Sequence, residues 1–364
     1  MIPLNDITAE NNSIKNEIDE AMQRVISKSQ FIGGDEIKEF EKNFASYCEK
    51  KFCIGTSSGS SSLFVVLKCL GIKHGDEVIV PVQTFIATAA SVVLCGAKPV
   101  FVDVNEYDSL INVSLIERSI TEKTKAIIPV HLYGSVCDMD KIVEISEKHN
   151  LVIIEDCAQA HGSEYKGKIV PITDIGCFSF FPAKNLGAFG DAGAIVTSNK
   201  ELEEKMRKYA NHGRSEKYFH DQDGFNFRLD NLQAAILNVK LKYLDNLINK
   251  KREIAEKYDQ IFSDINKIKH NSNVNHSYHL YVLRSKDRDK LRDYLKENGI
   301  ESGIHYPIPL HLQPAFSNLG YKEGDFPIAE KLSKEIVSLP IYSELKEESI
   351  AHITSTVLNF FKNS

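Results

Sequence analysis

Residues 151–162 read LVIIEDCAQAHG, an unbroken apolar run that ends in Glu155 and Asp156. A strand buried on both faces has this composition, and in an open α/β sheet its carboxyl end faces a ligand crevice. Lys184 follows 28 residues after Asp156, within CFSFFPAKNLGAFGDAGA (177–194). It comes after an aromatic strand and Pro182, and before a loop holding Gly187, Gly190 and Gly193. Partial burial lowers a lysine pKa because desolvation disfavours the ammonium form, and a neutral amine condenses with a carbonyl to form a Schiff base. An aspartate and a Schiff-base lysine are the pair that pyridoxal phosphate (PLP) requires, since the carboxylate keeps the pyridine nitrogen protonated and the ring an electron sink. Upstream, FCIGTSSGSSSLFVVLKCLG (52–71) reads as strand, Gly/Ser turn and apolar helix. Free N–H groups at that helix start, with the hydroxyls of Thr56 and Ser57, suit a phosphate.

The rest of the chain supplies a framework for these three pieces. EVIVP (77–81), KPVFVDV (98–104), KAIIPVHL (125–132), CFSFF (177–181) and GAIVTS (193–198) read as strands, with helical segments between many of them. This alternation predicts an α/β fold with a mostly parallel central sheet covered by helices. A helix over 13–27 follows a cap at Asn12 or Ser13, and Asp35 caps a second helix. Another helix runs from about Thr84 to Leu94, with Phe85 at its start. HGRSEKYFHDQDGFNFR (212–228) is a long polar loop, and such loops are usually functional or mobile. From Leu229 to about Phe262 one long helix is expected, without Pro or Gly. SYHLYVL (277–283) and Ile300–His305 read as strands, 287–298 as a helix, and a last helix starts near Lys346. The expected division is a large domain over 1–250 and a smaller α+β domain over 251–364, on which the N-terminal segment has room to pack.

Composition narrows the function. The 364 residues are 42% hydrophobic and 26% charged with a net charge of −6, which suits a globular enzyme and offers no basic footprint for nucleic acid. The cluster Lys250, Lys251 and Arg252 reads as a solvated helix face. All seven cysteines fall between Cys48 and Cys177 in apolar contexts and without CxxC spacing. Reduced, packed thiols of a cytoplasmic protein are expected, with no disulfide and no metal site, and Cys157 as a packing residue. The start, MIPLNDITAENN, has neither a basic nor an apolar leader region, and no run is long and apolar enough to span a membrane.

The segments GTSSG, GDEVIVPVQTFIATA, GAKPVFVDV, PVHLYG, EDCAQAHG, SFFPAKNLGAFGDAGA, NHGR, FNFRLDNLQAAIL and IHYPIPLHLQPAF cover nearly the whole chain. Together they resemble the DegT-type nucleotide-sugar aminotransferases, a branch of the fold-type I PLP enzymes. The resemblance implies that Lys184 is the Schiff-base lysine and Asp156 the partner of the pyridinium. It implies that Phe85 stacks on the ring, that Gln159 lies near the phenolic oxygen, and that Ser179 joins Thr56 and Ser57 at the phosphate. Asn226 matches an asparagine that reaches the phosphate from the partner subunit, so a homodimer with shared active sites follows. Lys217 is similar to a loop lysine that meets the nucleotide diphosphate across the dimer. His305 and Tyr306 resemble residues near the sugar. His161 is expected near the site, with no proton transfer assigned to it.

The activity so implied moves an amino group from glutamate, through PLP and pyridoxamine phosphate (PMP), to a nucleotide-linked keto sugar. NLGAFGDAGA after the lysine resembles the form found in 3-aminotransferases, which points to C3 of a dTDP-3-keto-6-deoxyhexose in surface-glycan (lipopolysaccharide O-antigen) or natural-product sugar biosynthesis. C4 amination and a UDP-3-keto-uronate substrate are the alternatives. A PMP-dependent sugar dehydratase is disfavoured, because that sibling group carries histidine where Lys184 stands. A non-catalytic regulatory relative is disfavoured by the joint presence of Asp156, Ser179, Lys184 and Asn226. Two departures stand out. The turn reads SSGSSS where relatives often have threonine, aspartate and alanine, and Phe181 replaces a tyrosine or histidine, removing a polar contact to the substrate.

Overall fold

The computed structural model describes residues 1–363. Its centre is a sheet whose strands are β1 (Phe52–Thr56), β2 (Glu77–Pro81), β3 (Lys98–Val102), β4 (Thr124–Ile127), β5 (Val152–Ile153), β6 (Glu155–Asp156), β7 (Gly176–Ser179) and β8 (Gly193–Thr197). One ladder runs β3-β2-β4-β5 and is parallel throughout. The other runs β6-β7-β8-β1, parallel between β6 and β7 and antiparallel on both sides of β8. β5 and β6 are consecutive pieces of the run 151–156, and Val130 bridges in parallel to Asp156, so this run joins the two ladders. The mostly parallel sheet expected from the sequence is therefore present, with β8 the reversed strand. EVIVP is buried at all five positions, as a strand covered on both faces must be.

Parallel strands put their carboxyl ends on one edge. Asp156 pairs with Cys177 and Ser179 pairs with Gly193, which in turn pairs with Thr56. The ends of β6, β7 and β1 therefore lie side by side. The helix after β1, Gly59–Cys69, starts with a capping box in which Ser58 Oγ accepts from Ser61 N–H. A Cβ on Gly59 would lie 2.7 Å from Ser179 Cβ. Only glycine lets this helix start sit against the end of β7.

The main apolar cluster follows the sheet and takes in Phe316, Phe326 and Leu332 from the C-terminal third. Phe101 of β3 meets the rings of Phe316 and Phe326 at 5.7 and 6.3 Å. A second cluster begins at Ile254 and Tyr258, includes Tyr281 and Leu339, and ends with Ile353 and Val357. The helix Leu244–Ile261 has Leu244 and Ile248 in the first cluster and Ile254 and Tyr258 in the second. A boundary at residue 250 falls inside this continuous helix. The N-terminus reaches the second region, with Ile2 N–H donating to Gly299 O at 2.7 Å.

Several local expectations change. The helix predicted over 229–262 is two, Asn231–Leu241 and Leu244–Ile261, with a break at 242–243 that neither Pro nor Gly marks. Residues 300–305 make only single bridges, Ile300 to Ile2 and Gly303 to Ser338, instead of a strand. The helix at 87–94 begins three residues later than expected, so Phe85 precedes it. Asn12 and Ser13 do not cap Lys15–Lys28, because Asn12 closes a separate short helix, Ile7–Asn12. Asp35 is the first helical residue after Gly34 and not the cap. The polar loop holds a small hairpin, Arg214–Glu216 with Phe219–His220.

Lys251 is the clearest reversal. It is 2% exposed, and its ammonium donates to Asn185 Oδ1 at 3.0 Å. Arg252 is half-buried and donates to His276 O at 2.9 Å. This basic run wraps a helix with both ends in apolar cores, so only part of it faces solvent. All seven cysteines are buried and unpaired. Among the described residues no helix is long and apolar enough to cross a membrane.

Candidate active site

A cavity of about 520 Å³ opens at the carboxyl edge of the sheet. Lys184, Asp156, Phe85, Gln159, Ser179, Phe181, His305 and Tyr306, which lie far apart in the chain, all line it. Its volume is that of an ordinary cofactor or small-molecule site.

Lys184 sits on a turn closed by its own N–H to Phe181 O at 2.8 Å and by Ala188 N–H to Phe180 O at 2.8 Å. Desolvation lowers its pKa to about 8, while the charge of Asp156 pulls the other way. The lysine therefore has an accessible neutral amine near physiological pH. Asp156 is 5% exposed, and its oxygens accept from Thr88 Oγ1 at 2.9 Å and Ala158 N–H at 3.1 Å. Burial raises its pKa, and these two donors and Lys184 lower it in part. A buried carboxyl group so held has a fixed direction in the cavity wall.

Gln159 links both sides of the site. Its Oε1 accepts from Tyr133 N–H at 2.7 Å, and its Nε2 donates to the Tyr306 hydroxyl at 3.1 Å. Tyr133 O–H donates to His305 O, and His305 Nδ1 lies 2.9 Å from Ser338 Oγ. Burial, assisted by the charge on Lys184, pushes His305 down to about 4, so its imidazole is neutral. The rings of Phe85 and Tyr306 are 5.8 Å apart, and Phe85 and Phe181 each expose about half of their surface, 54% and 52%.

The residues expected at the phosphate, Thr56 and Ser57, come just before the cavity lining in the chain. Thr56 is fully buried, with its hydroxyl on Ser58 O and Ser62 Oγ, and Ser57 Oγ donates to Ser61 Oγ. Neither lines the cavity; Ser58, Gly59 and Ser60 do. The first N–H groups of a helix have no intrahelical acceptor, so this helix start still suits an anion. Asn226 and Lys217 are exposed and also outside the cavity lining of their own chain. Asn226 bridges to Asn211, and Lys217 lies over the Tyr218 ring. His161 packs 5.4 Å from Phe178 and 5.6 Å from Phe180, and burial pushes it down to about 3.

Residues that the sequence reading missed also line the cavity, among them Leu4, Asn5, Thr84, Asp191, His279 and Ile341. Asn5 Nδ2 donates to Ala183 O at 3.3 Å, beside the lysine. Nothing local to Leu4 or Asn5 signals this contact across the chain. Asp191, by contrast, lies inside the motif that follows Lys184.

A lysine with a depressed pKa, a buried aspartate and a helix start at the carboxyl edge of this sheet form a set that suits a PLP-dependent enzyme. The chain belongs to the DegT/DnrJ/EryC1/StrS aminotransferase family, whose model matches residues 12–358. It is 44% identical to the dTDP-3-amino-3,6-dideoxy-alpha-D-galactopyranose transaminase of Aneurinibacillus thermoaerophilus, over 98% of this chain and 99% of that protein. It is 43% identical to a protein of Geobacillus stearothermophilus named pleiotropic regulatory protein, over 100% and 99% of the two chains. The structure of DesV from S. venezuelae in complex with a ketimine intermediate superposes with a TM-score of 0.97 at 38% identity, covering 99% of this chain and 98% of that one. Solved structures similar to this chain hold the cofactor as PLP and as PMP. The sequence-derived cofactor, fold and enzyme class therefore stand.

Proposed function

We propose that the chain transfers an amino group from glutamate to C3 of a dTDP-linked 3-keto-6-deoxyhexose. The observation that supports catalysis here is Lys184 and Asp156 in one cavity with the Ser58–Ser60 helix start and Ser179. Bound PLP supplies an electron sink for the carbanion formed at the amino-bearing carbon. Asp156 would meet the pyridine nitrogen and hold its proton in place. Ser58, Gly59, Ser60 and Ser179 take the phosphate, in place of the side chains of Thr56 and Ser57. Phe85 supports the ring face, since stacking adds contact without competing for protons. Lys184 would hold the cofactor through its Nζ, and the same atom, when free, would take up and return the α-proton as general base. Its pKa of about 8 suits both tasks.

Position three is favoured by NLGAFGDAGA after Lys184 and by the 3-amino sugar in the name of the 44% identical relative. Tyr306, tied to Gln159, and neutral His305 form the wall proposed to hold the sugar. A UDP-linked 3-keto-uronate is the second reading, because a UDP-2-acetamido-2-deoxy-3-oxo-D-glucuronate aminotransferase of Pseudomonas aeruginosa is 39% identical over 99% of this chain and the whole of that protein. The test loads the enzyme with PMP and offers dTDP-3-keto-6-deoxyhexoses, dTDP-4-keto-6-deoxyglucose and a UDP-3-keto-uronate, reading the product by NMR. Amination at C3 of the first group is expected. Preferential C4 amination overturns the position, and turnover of the uronate alone overturns the substrate.

We further propose a homodimer in which Asn226 and Lys217 serve the partner's phosphate and diphosphate. Support comes from their exposure outside their own cavity and from apolar surface nearby. Phe225, next to Asn226, is 54% exposed. Phe31 and Ile32, 47% and 56% exposed, sit against the segment 230–231 that follows the loop. Mixing inactive Lys184→Ala with an inactive Asn226→Ala variant is expected to restore up to about a quarter of wild-type activity, since random pairing makes half the dimers hybrid, each with one intact site. Verified subunit exchange without any recovery would remove the shared site.

A further inference from the structure

Glu155 precedes Asp156 on the same strand, and successive side chains point to opposite faces. While Asp156 faces the cavity, Glu155 is fully buried on the other side. Its carboxylate meets His131 Nε2 at 2.8 Å and accepts from Ile172 N–H at 2.8 Å, and from the N–H and hydroxyl of Thr173, each at 2.5 Å. Burial alone would raise its pKa, but His131 and Thr173 outweigh that and hold the group below the usual carboxylate range. Cys137 N–H donates to His131 Nδ1 at 3.3 Å. That leaves the ring proton on Nε2, where it is given to Glu155.

The donors come from the two segments that flank Asp156. His131 lies in the turn after β4, and its backbone N–H donates to Asp156 O at 3.0 Å. Asp156 N–H donates to Pro129 O at 2.9 Å in the same turn. Ile172 and Thr173 lead into β7, whose Cys177 pairs with Asp156. Cys157 completes a group with His131 and Glu155 whose ligand atoms lie within 4.8 Å of one another. Both Glu155 oxygens already accept protein donors, so the group is a hydrogen-bond network. A buried carboxylate with its donors in place adds little net stability, yet removing one donor leaves it unsatisfied at a cost. Its value at this point is directional.

We infer that Glu155 and His131 are positioning residues for Asp156, fixing from behind the sheet the direction in which its carboxylate meets the pyridine nitrogen. The inference rests on the role proposed above for Asp156. Three variants of the full chain test it, with Asp156→Asn as reference. His131→Phe removes the donor to Glu155, His131→Gln keeps one, and Glu155→Gln faces four donors with a group that is half donor itself. The readouts are PLP affinity of the apoprotein, the pH midpoint of the visible absorbance of the PLP-loaded protein, and melting of the apoprotein. His131→Phe and Glu155→Gln are expected to weaken PLP about tenfold and to displace the midpoint, the effect of one buried group left unpaired, while His131→Gln stays near wild type. If Glu155→Gln does not fold, the order of the two His131 variants decides. Lower melting with wild-type affinity and midpoint would make the pair merely structural and overturn the inference. An Asp156→Asn variant that also leaves affinity and midpoint unchanged would overturn the role of Asp156 and this inference together.

Discussion

Lys184→Ala is expected to lower steady-state turnover by about 10⁴-fold or more, because one substitution removes both the covalent anchor and the general base. The variant should fold, since the turn is held by backbone bonds from Lys184 N–H and Ala188 N–H that alanine retains. It should also still bind PLP, because the helix start at Ser58–Ser60, Ser179 and Asp156 are untouched. Its visible spectrum should lose the band of lysine-linked cofactor. Removing a partly desolvated amine also relieves its effect on His305, whose pKa is depressed first by burial and then by Lys184. Steady-state kinetics with the amino donor, alongside absorbance spectra, check this, and normal turnover would remove Lys184 from the mechanism.

Asp156→Asn is expected to cost about 10²–10⁴-fold in turnover, corresponding to the roughly 3–5 kcal/mol lost when one partner of a buried charge pair is neutralised. The replacement fits the site. The amide oxygen can accept from Ala158 N–H, and the Thr88 hydroxyl can rotate to accept from the new NH₂ group. The loss is therefore electrostatic. Asp156 also raises the pKa of Lys184 against desolvation, so in the apoprotein neutralising it should move Lys184 further down from about 8. A pH series of lysine modification on the apoprotein reads that shift. A variant with near wild-type turnover would show that no buried charge is needed at the pyridine nitrogen.

The two chemical residues were legible because each is announced by its own neighbours. An apolar run must be a buried strand, and an acidic residue at its end must lie at a sheet edge, so Asp156 had one place to go. Lys184 was marked by the aromatic strand before it and the glycines after it. The helix start was legible, but which of its residues line the cavity was not. Thr56 pairs with Gly193 inside the ladder and spends its hydroxyl on the helix cap, and the cavity lining falls to Ser58–Ser60.

What the sequence alone determined was the mostly parallel α/β sheet, the lysine and aspartate at its edge and the family, because these follow from local periodicity and short motifs. Only the tertiary structure decided the rest. It brought Leu4 and Asn5 beside Lys184, broke the expected helix at 242–243 and ran its second part through two cores, and buried Lys251 against Asn185. It also turned Glu155, one residue from Asp156, away from the cavity into a network reaching residues 131 and 173. Such pairings join segments far apart in the chain, and their energies arise from burial and hydrogen bonding that only the assembled layers provide.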